Sequence, residues 1–520
     1  MNAGAKQPTG ATRPRSEARL ARRTKSLPAK KGSSKKGPAR KTGPKLGELD
    51  QVMENAADYA EWRGAAEAHD ELTGAREWRN EAETQDYDWR LLKTRTELLR
   101  RLRRKGDISR LIFYLHEELH GNLGNMANPA LYGPAKTGTK TLITAYLDEV
   151  VETLEELYGL DESALSAKRK LRFFRQAAHS FGRSALVLSG GATLGLFHLG
   201  VIKALWSEGL LPTVLSGSSA GSIVASIVAT HDDRDLPGIF APGYVNIEAW
   251  RDFGLDSFFE GRGLGNIDKL RSAINRNVPK LTFEEGFEST GRVVNVSVSP
   301  ADSNQFPRLL NFHNAPNVFV RRAALASCAL PGLFPPVTLQ AKNFEGRTVA
   351  YMPKSSWQDG SLKMDVPKTH IARMHNVNHF IVSQTNPHVL PFLSDRHPDS
   401  SLLFLLELIK STARVNVEHI LDRLRQHTDS PALSLALDKA HAVATQTYSG
   451  DITIVPSRQT GNILQTFADP TPKQVANFVA DGERATWPLI ERIRNTTRIS
   501  RVFERCLRRL DPANRAPVPD

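Results

Sequence analysis

Two strand–turn–helix units follow one another without a break between residues 185 and 229, in the stretch ALVLSGGATLGLFHLGVIKALWSEGLLPTVLSGSSAGSIVASIVA. Each begins with an apolar run, turns through glycine and continues into an amphipathic run. That is the pattern of parallel strands joined by crossover helices. The first turn carries Gly190, Gly191 and Gly195. The second reads Gly217-Ser218-Ser219-Ala220-Gly221, a G-x-S-x-G elbow. A serine on such an elbow sits at a helix N-terminus, where free N–H groups and the helix dipole favour developing negative charge. Gly217 and Gly221 leave room for a strained turn that Cβ atoms would crowd. The Gly190–Gly191 turn can present consecutive backbone N–H groups toward the same point. Two such turns, 24 residues apart from Gly195 to Ser219, predict an acyl-transfer site with Ser219 as nucleophile.

The surrounding chain supports an α/β fold of several parts. Residues 1–46 are rich in Lys, Arg, Pro, Gly and Ser without periodicity, which predicts a disordered basic tail. Residues 1–45 hold fourteen Lys and Arg against one acid, Glu17, so the tail accounts for the whole net charge of +13. The remainder is balanced. A solvated tail is the expectation, with contact to an anionic lipid surface or non-specific contact with nucleic acid as alternatives. Residues 47–183 read as a helical N-terminal domain, with segments near 52–82, 88–120, 139–158 and 163–182. Residues 184–385 read as the catalytic α/β domain. Residues 386–520 read as a helical C-terminal region with one further strand. Candidate strands are 185–188, 213–215, 293–298, 379–383 and 452–455. Residues 401–425 predict a long amphipathic helix whose apolar start packs on the core or on lipid.

With two cysteines among 520 residues, no disulfide framework exists and an intracellular setting is expected. No apolar run reaches the length of a membrane span, and the N-terminus shows no secretory signal.

The base is not fixed by the elbow. Among the 15 histidines, His388, His419, His427 and His441 fit a conventional hydrolase order, and none has distinguishing context. His198 reads as a packed helix residue. Trp357-Gln358-Asp359-Gly360-Ser361 places an aspartate at a tight turn, which by itself is ordinary turn chemistry.

The ordered set of glycine-rich turn, G-x-S-x-G and later Asp-Gly resembles the patatin-like phospholipase family. The run ASCALPGLFPP over 326–336 is similar to that family's segment between nucleophile and aspartate, and LHGNLGNMANPALY over 119–132 resembles the helical domain of its fungal and plant triacylglycerol lipases. The resemblance implies a patatin-like sheet flanked by helices and a Ser–Asp dyad without histidine or cofactor. In that reading Ser219 attacks, Asp359 takes its proton, and Gly190, Gly191 and Ala192 hold the oxyanion. Gly195, Gly217, Gly221 and Gly360 complete the motifs, and Asp365 is structural. The chain departs from the family at Ala192 for a third glycine, at Leu194 for a basic residue and at Ser361 after Asp-Gly. A backbone donor survives at Ala192 if φ there is negative. Loss of the basic residue favours neutral glycerolipid, with peripheral contact to a membrane or lipid-droplet surface and no specific nucleic acid. Phospholipase A or lysophospholipid transacylase activity uses the same site. A lipid-surface binding protein with a weakened site is the reading from another class.

A literal H-E-x-x-H, His116-Glu117-Glu118-Leu119-His120, matches a metalloprotease signature. Gly121-Asn122 reads as an immediate helix stop, Glu118 puts a charge where an uncharged residue belongs, and no metal is expected.

Overall fold

The computed structural model describes residues 45–241, 243–244, 267–301, 305–387, 389–390, 448–457 and 470–511. The basic tail up to residue 44, the helix expected at 401–425 and His388, His419, His427 and His441 lie outside the described residues.

The N-terminal helices break where local chemistry breaks them. The segment expected near 52–82 is three helices, Leu46–Asn55, Tyr59–Thr73 and Ala75–Asn80. Asp58 caps the second through the Glu61 N–H at 2.9 Å, and Gly74 ends it at φ 74°. The segment expected at 88–120 is two helices, Trp89–Arg104 and Ile108–Glu118. Gly106 at φ 63° and the Asp107 cap on Arg110 part them. Periodicity alone ran across these breaks, because capping residues sit on the polar face and leave the apolar stripe intact. Helices Thr141–Gly159 and Ala167–Phe181 follow. Arg100 and Arg103 on one helix both meet the buried Glu149 on another at 2.7 Å.

The sheet has a parallel centre. Strands β1 (Arg183–Leu188), β2 (Val214–Gly217) and β3 (Val293–Pro300) step outward in one direction. Strands β8 (Val377–Ser383) and β9 (Ile452–Ile454) step outward from the other side of β1. The chain order therefore reverses beside β1, the place where open α/β sheets put their sites. The five candidate strands are all present.

Four short strands were not anticipated: β4 (Arg308–Leu310), β5 (Gln340–Lys342), β6 (Thr348–Ala350) and β7 (Trp357–Asp359). At three residues each they are too short for a period-2 signal. β5 and β6 form a separate two-stranded sheet, and Ala341 of β5 also bridges Val318.

Val298 of β3 pairs with Arg308 of antiparallel β4 and also with Asp359 of antiparallel β7. The two partners must lie on opposite edges of β3. β7 thus continues the edge that β2 leaves after Val296, its partner at Gly217. This register carries Asp359 to the end of β2, beside the elbow.

Both sheet faces are covered. Leu186, Leu188 and Leu215 face helices Phe197–Ser207 and Ala220–Ala229, while Ala185, Val187 and Val214 face Ile371 and Met364. The helix Ile490–Leu510 joins the sheet core to the N-terminal helices. Its Ile490 and Ile493 enter the sheet core, and Ile499, Val502 and Phe503 pack with Phe173 and Phe174. Helices Phe197–Ser207 and Pro472–Thr486 touch backbone to backbone. A Cβ on Gly200 would lie 1.9 Å from the Val479 carbonyl oxygen, and one on Gly482 would lie 2.2 Å from that of Phe197. Among the described residues, no helix is long and apolar enough to cross a membrane.

Candidate active site

Ser219 lies between the end of β2 and the helix Ala220–Ala229, at φ 50° and ψ −125°. A non-glycine residue held at positive φ is strained, by about 1–3 kcal/mol, and persists only where its surroundings fix it. Those surroundings are identifiable. A Cβ on Gly217 would fall 2.4 Å from the Gly221 carbonyl oxygen, and one on Gly221 the same distance from that of Leu188. The Ser219 N–H donates to the Ser327 hydroxyl at 2.9 Å. The Ser222 hydroxyl and N–H both donate to the Ser219 carbonyl.

Asp359 is held by the same segment. Its N–H donates to the Ala329 carbonyl at 2.9 Å, two residues beyond Ser327. The run over 326–336 therefore sets nucleophile and carboxylate against each other. Gly360 must be glycine, since a Cβ there would lie 2.5 Å from the Ser297 carbonyl carbon. Asp359 is 1 % exposed and its Oδ1 accepts the Ser361 N–H at 2.7 Å. Oδ2 completes no hydrogen bond of good geometry, although the Ser219 hydroxyl is near enough to help stabilise the charged form. Burial dominates and pushes the carboxyl up to about 6. A carboxyl raised to about 6 and interacting with the Ser219 hydroxyl can accept a proton near neutral pH.

The glycine turn lies against both. A Cβ on Gly190 would come within 3.4 Å of the Ser219 Cβ and 3.3 Å of the Ser361 Cβ. The expectation that Gly190 supplies an oxyanion donor needs correction. Its N–H already donates to buried Asp365 Oδ1 at 2.8 Å. Among the described residues the N–H groups of Gly191 and Ala192 have no acceptor. Ala192 also departs from expectation, because its φ is +47°, not negative. Its N–H survives nonetheless, at a steric cost of about 1–2 kcal/mol for a left-handed alanine. Leu194, at the position of the expected basic residue, is buried in the sheet core.

Behind the turn lies a buried polar network that sequence reasoning did not find. His198 contacts the Ser383 hydroxyl at 2.7 Å and the Ser189 carbonyl at 3.0 Å. Burial pushes it down to about 4, so it is neutral and structural. The Gly190 carbonyl accepts from the Ser189 hydroxyl at 2.9 Å and the Thr385 hydroxyl at 3.0 Å. These partners come from the ends of two strands, β1 and β8, and from the helix Phe197–Ser207, and nothing in their local sequence marks them.

The H-E-x-x-H run does not form a metal site. The helix ends at Glu118, and Leu119 turns extended at ψ 105°, so His116 and His120 do not share a face. His116 stacks edge-on against Phe173. No cluster of His, Cys, Asp and Glu suited to a metal occurs among the described residues.

Comparisons with known proteins cover both halves of this arrangement. The family model described as patatin-like phospholipase matches residues 186–370. A second, described as a domain of unknown function (DUF3336), matches residues 40–179. The chain is similar to Triacylglycerol lipase 5 of Saccharomyces cerevisiae, with 33% identity over 86% of this chain and 63% of that protein. Triacylglycerol lipase SDP1L of Arabidopsis thaliana is 32% identical over 88% of this chain and 58% of its own length. Triacylglycerol lipase ptl3 of Schizosaccharomyces pombe is 31% identical over 86% of this chain and 94% of its own length. The chain thus spans about three fifths of the first two relatives and nearly all of the third.

Proposed function

This chain belongs to the patatin-like phospholipase family, and from that premise we propose that it is a serine ester hydrolase that cleaves fatty-acyl esters of neutral glycerolipid, triacylglycerol above all. The observation that carries the reading is Ser219 on its strained elbow beside the free Oδ2 of buried Asp359. Named triacylglycerol lipases among the relatives support the substrate class.

In this mechanism Asp359 Oδ2 takes the Ser219 proton as Oγ bonds to the ester carbonyl carbon. The carbonyl oxygen becomes an oxyanion, held by the N–H groups of Gly191 and Ala192 and by the N-terminus of the helix Ala220–Ala229. Collapse breaks the bond to the glyceride oxygen, which leaves as an alcohol with the proton from Asp359. Water then gives a proton to Asp359 and its hydroxyl to the acyl-enzyme, and fatty acid departs as Ser219 recovers its proton. Buried Leu194 leaves the turn without a cation to attract a headgroup phosphate, which supports neutral glycerolipid over phospholipid. Such a substrate is insoluble, so the protein works at a lipid surface.

The test is hydrolysis of trioleoylglycerol emulsion and of phosphatidylcholine vesicles by the purified full chain. Release of fatty acid from trioleoylglycerol at tenfold or more the phospholipid rate, abolished in Ser219→Ala, is expected. Equal turnover of the two lipids contradicts the substrate assignment.

A further inference from the structure

We propose that Asp365 is a positioning residue, whose carboxylate aims the oxyanion donors by holding the Gly190 N–H out of the site. The proposal rests on the hydrolase reading above. Asp365 follows the short helix Ser361–Met364 and is fully buried. Its Oδ1 accepts the Gly190 N–H at 2.8 Å, and its Oδ2 accepts the Asn386 side-chain N–H at 2.6 Å. Its own carbonyl accepts the Ser218 hydroxyl at 3.0 Å. One residue thereby ties together the loops that leave β1, β2 and β8. The first two of these border Ser219, through Gly190 and Ser218.

The geometry makes this more than a packing role. Gly190 is clamped at both ends, its N–H by Asp365 and its carbonyl by the Ser189 and Thr385 hydroxyls. In a trans peptide the C=O and the next N–H point in opposite directions. Holding the Gly190 carbonyl toward Thr385 therefore turns the Gly191 N–H the other way. Gly191 packs so closely on Thr385 that a Cβ there would lie 2.2 Å from its hydroxyl oxygen, so only glycine fits at this point of the turn. The N–H groups of Gly191 and Ala192 are then the donors left over, on a turn whose first residue touches Ser219.

The chemistry of the side chain fits the task. Two N–H donors converge on Asp365 from opposite loops, and a carboxylate offers an acceptor to each. An asparagine there keeps one acceptor and sets its own N–H₂ against that of Asn386. A buried carboxylate is costly unless it is hydrogen-bonded, and this one has Gly190 and Asn386, with Gln384 contributing as well. Both of its oxygens already accept N–H groups, from Gly190 and Asn386, so we do not assign it a role as a second base.

The test uses full-length Asp365→Ala, Asp365→Asn and the paired Asp365→Asn/Asn386→Asp, assayed on a soluble p-nitrophenyl ester. Loss of one oxyanion donor typically lowers kcat by about two to three orders of magnitude. Asp365→Ala is expected to lose about a hundredfold in kcat with KM within about twofold of wild type. Asp365→Asn is expected to lose about tenfold, and the paired variant, which restores one acceptor opposite one donor, to regain most of it. A structural role alone lowers thermal stability and the folded fraction without moving kcat per fluorophosphonate-titrated serine. Unchanged kcat per titrated serine in Asp365→Ala overturns the proposal. If that variant does not fold, equal kcat in wild type, Asp365→Asn and the paired variant overturns it. A wild type inert toward every ester overturns the hydrolase reading itself, and the proposal with it.

Discussion

The backbone N–H of Ser219 donates to the side-chain hydroxyl of Ser327 at 2.9 Å, across 108 residues of chain. Two residues further on, the Ala329 carbonyl receives the Asp359 N–H. The end of one helix, Val320–Ser327, thus sets the spacing of nucleophile and acid. Ser327→Ala removes the acceptor and leaves a buried N–H unpaired beside a strained residue, at a cost of about 1–3 kcal/mol. Lowered thermal stability and a fall in kcat are expected together. Scanning calorimetry and a soluble-ester assay on the same preparation check both.

The rate should follow the buried carboxyls. Asp359 accepts a proton only when ionised, and burial holds it at about 6, with Asp365 nearby at about 7. Asp359 also helps to raise Asp365, so the acidic limb belongs to the pair. The kcat of soluble-ester hydrolysis is expected to rise with pH through a midpoint between about 6 and about 7 and then level off. A midpoint near the ordinary aspartate value contradicts Asp359 as the base.

Losing the base should stabilise the fold. Asp359 binds its proton more tightly folded than unfolded, with values of about 6 against 3.8. Its contribution to stability is therefore fully present below about pH 4 and lost as pH rises toward 6. Above that the folded protein carries a buried charge whose upper-bound cost is about 3 kcal/mol. Asp359→Asn removes the charge. It is expected to be inactive, to melt several degrees above wild type at pH 8 and to lose that advantage at pH 4. Equal melting at both pH values counts against the buried, poorly paired carboxylate.

Much of this arrangement was legible in the sequence, and the illegible parts share a cause. Ser219 and its glycines announce themselves, because a strained elbow needs small residues at fixed spacing. The five parallel strands were visible as apolar runs. The carboxyl partner was visible only through family resemblance, since Asp359 looks like any turn aspartate and β7 is too short to show a period. The use of the Gly190 N–H by Asp365, and the positive φ of Ala192, were out of reach. Both follow from long-range contacts among loops that leave β1, β2 and β8, and no local pattern encodes them. The breaks in the N-terminal helices were nearer to hand, in Asp58, Gly74 and Asp107.

The helix crossing at Gly200 and Gly482 makes a separate claim. Glycine inside a helix costs about 1 kcal/mol relative to alanine, so Gly→Ala at an open helical site stabilises. Here a Cβ would lie within 2.2 Å of facing carbonyl oxygens on either helix. Gly200→Ala and Gly482→Ala are each expected to destabilise, by about 2 kcal/mol or more through overpacking. Gly64, whose Cβ would meet nothing within 4 Å, serves as the control. Urea unfolding of the three alanine variants checks the sign at each position.

The central claim is that Ser219 is an activated nucleophile, and mass spectrometry of the fluorophosphonate-treated protein addresses it directly. One phosphonyl adduct per chain, mapped to Ser219, absent in Ser219→Ala and formed at least a hundredfold more slowly in Asp359→Asn, is the expected result. An unlabelled wild type, or labelling as fast in Asp359→Asn as in wild type, contradicts the dyad.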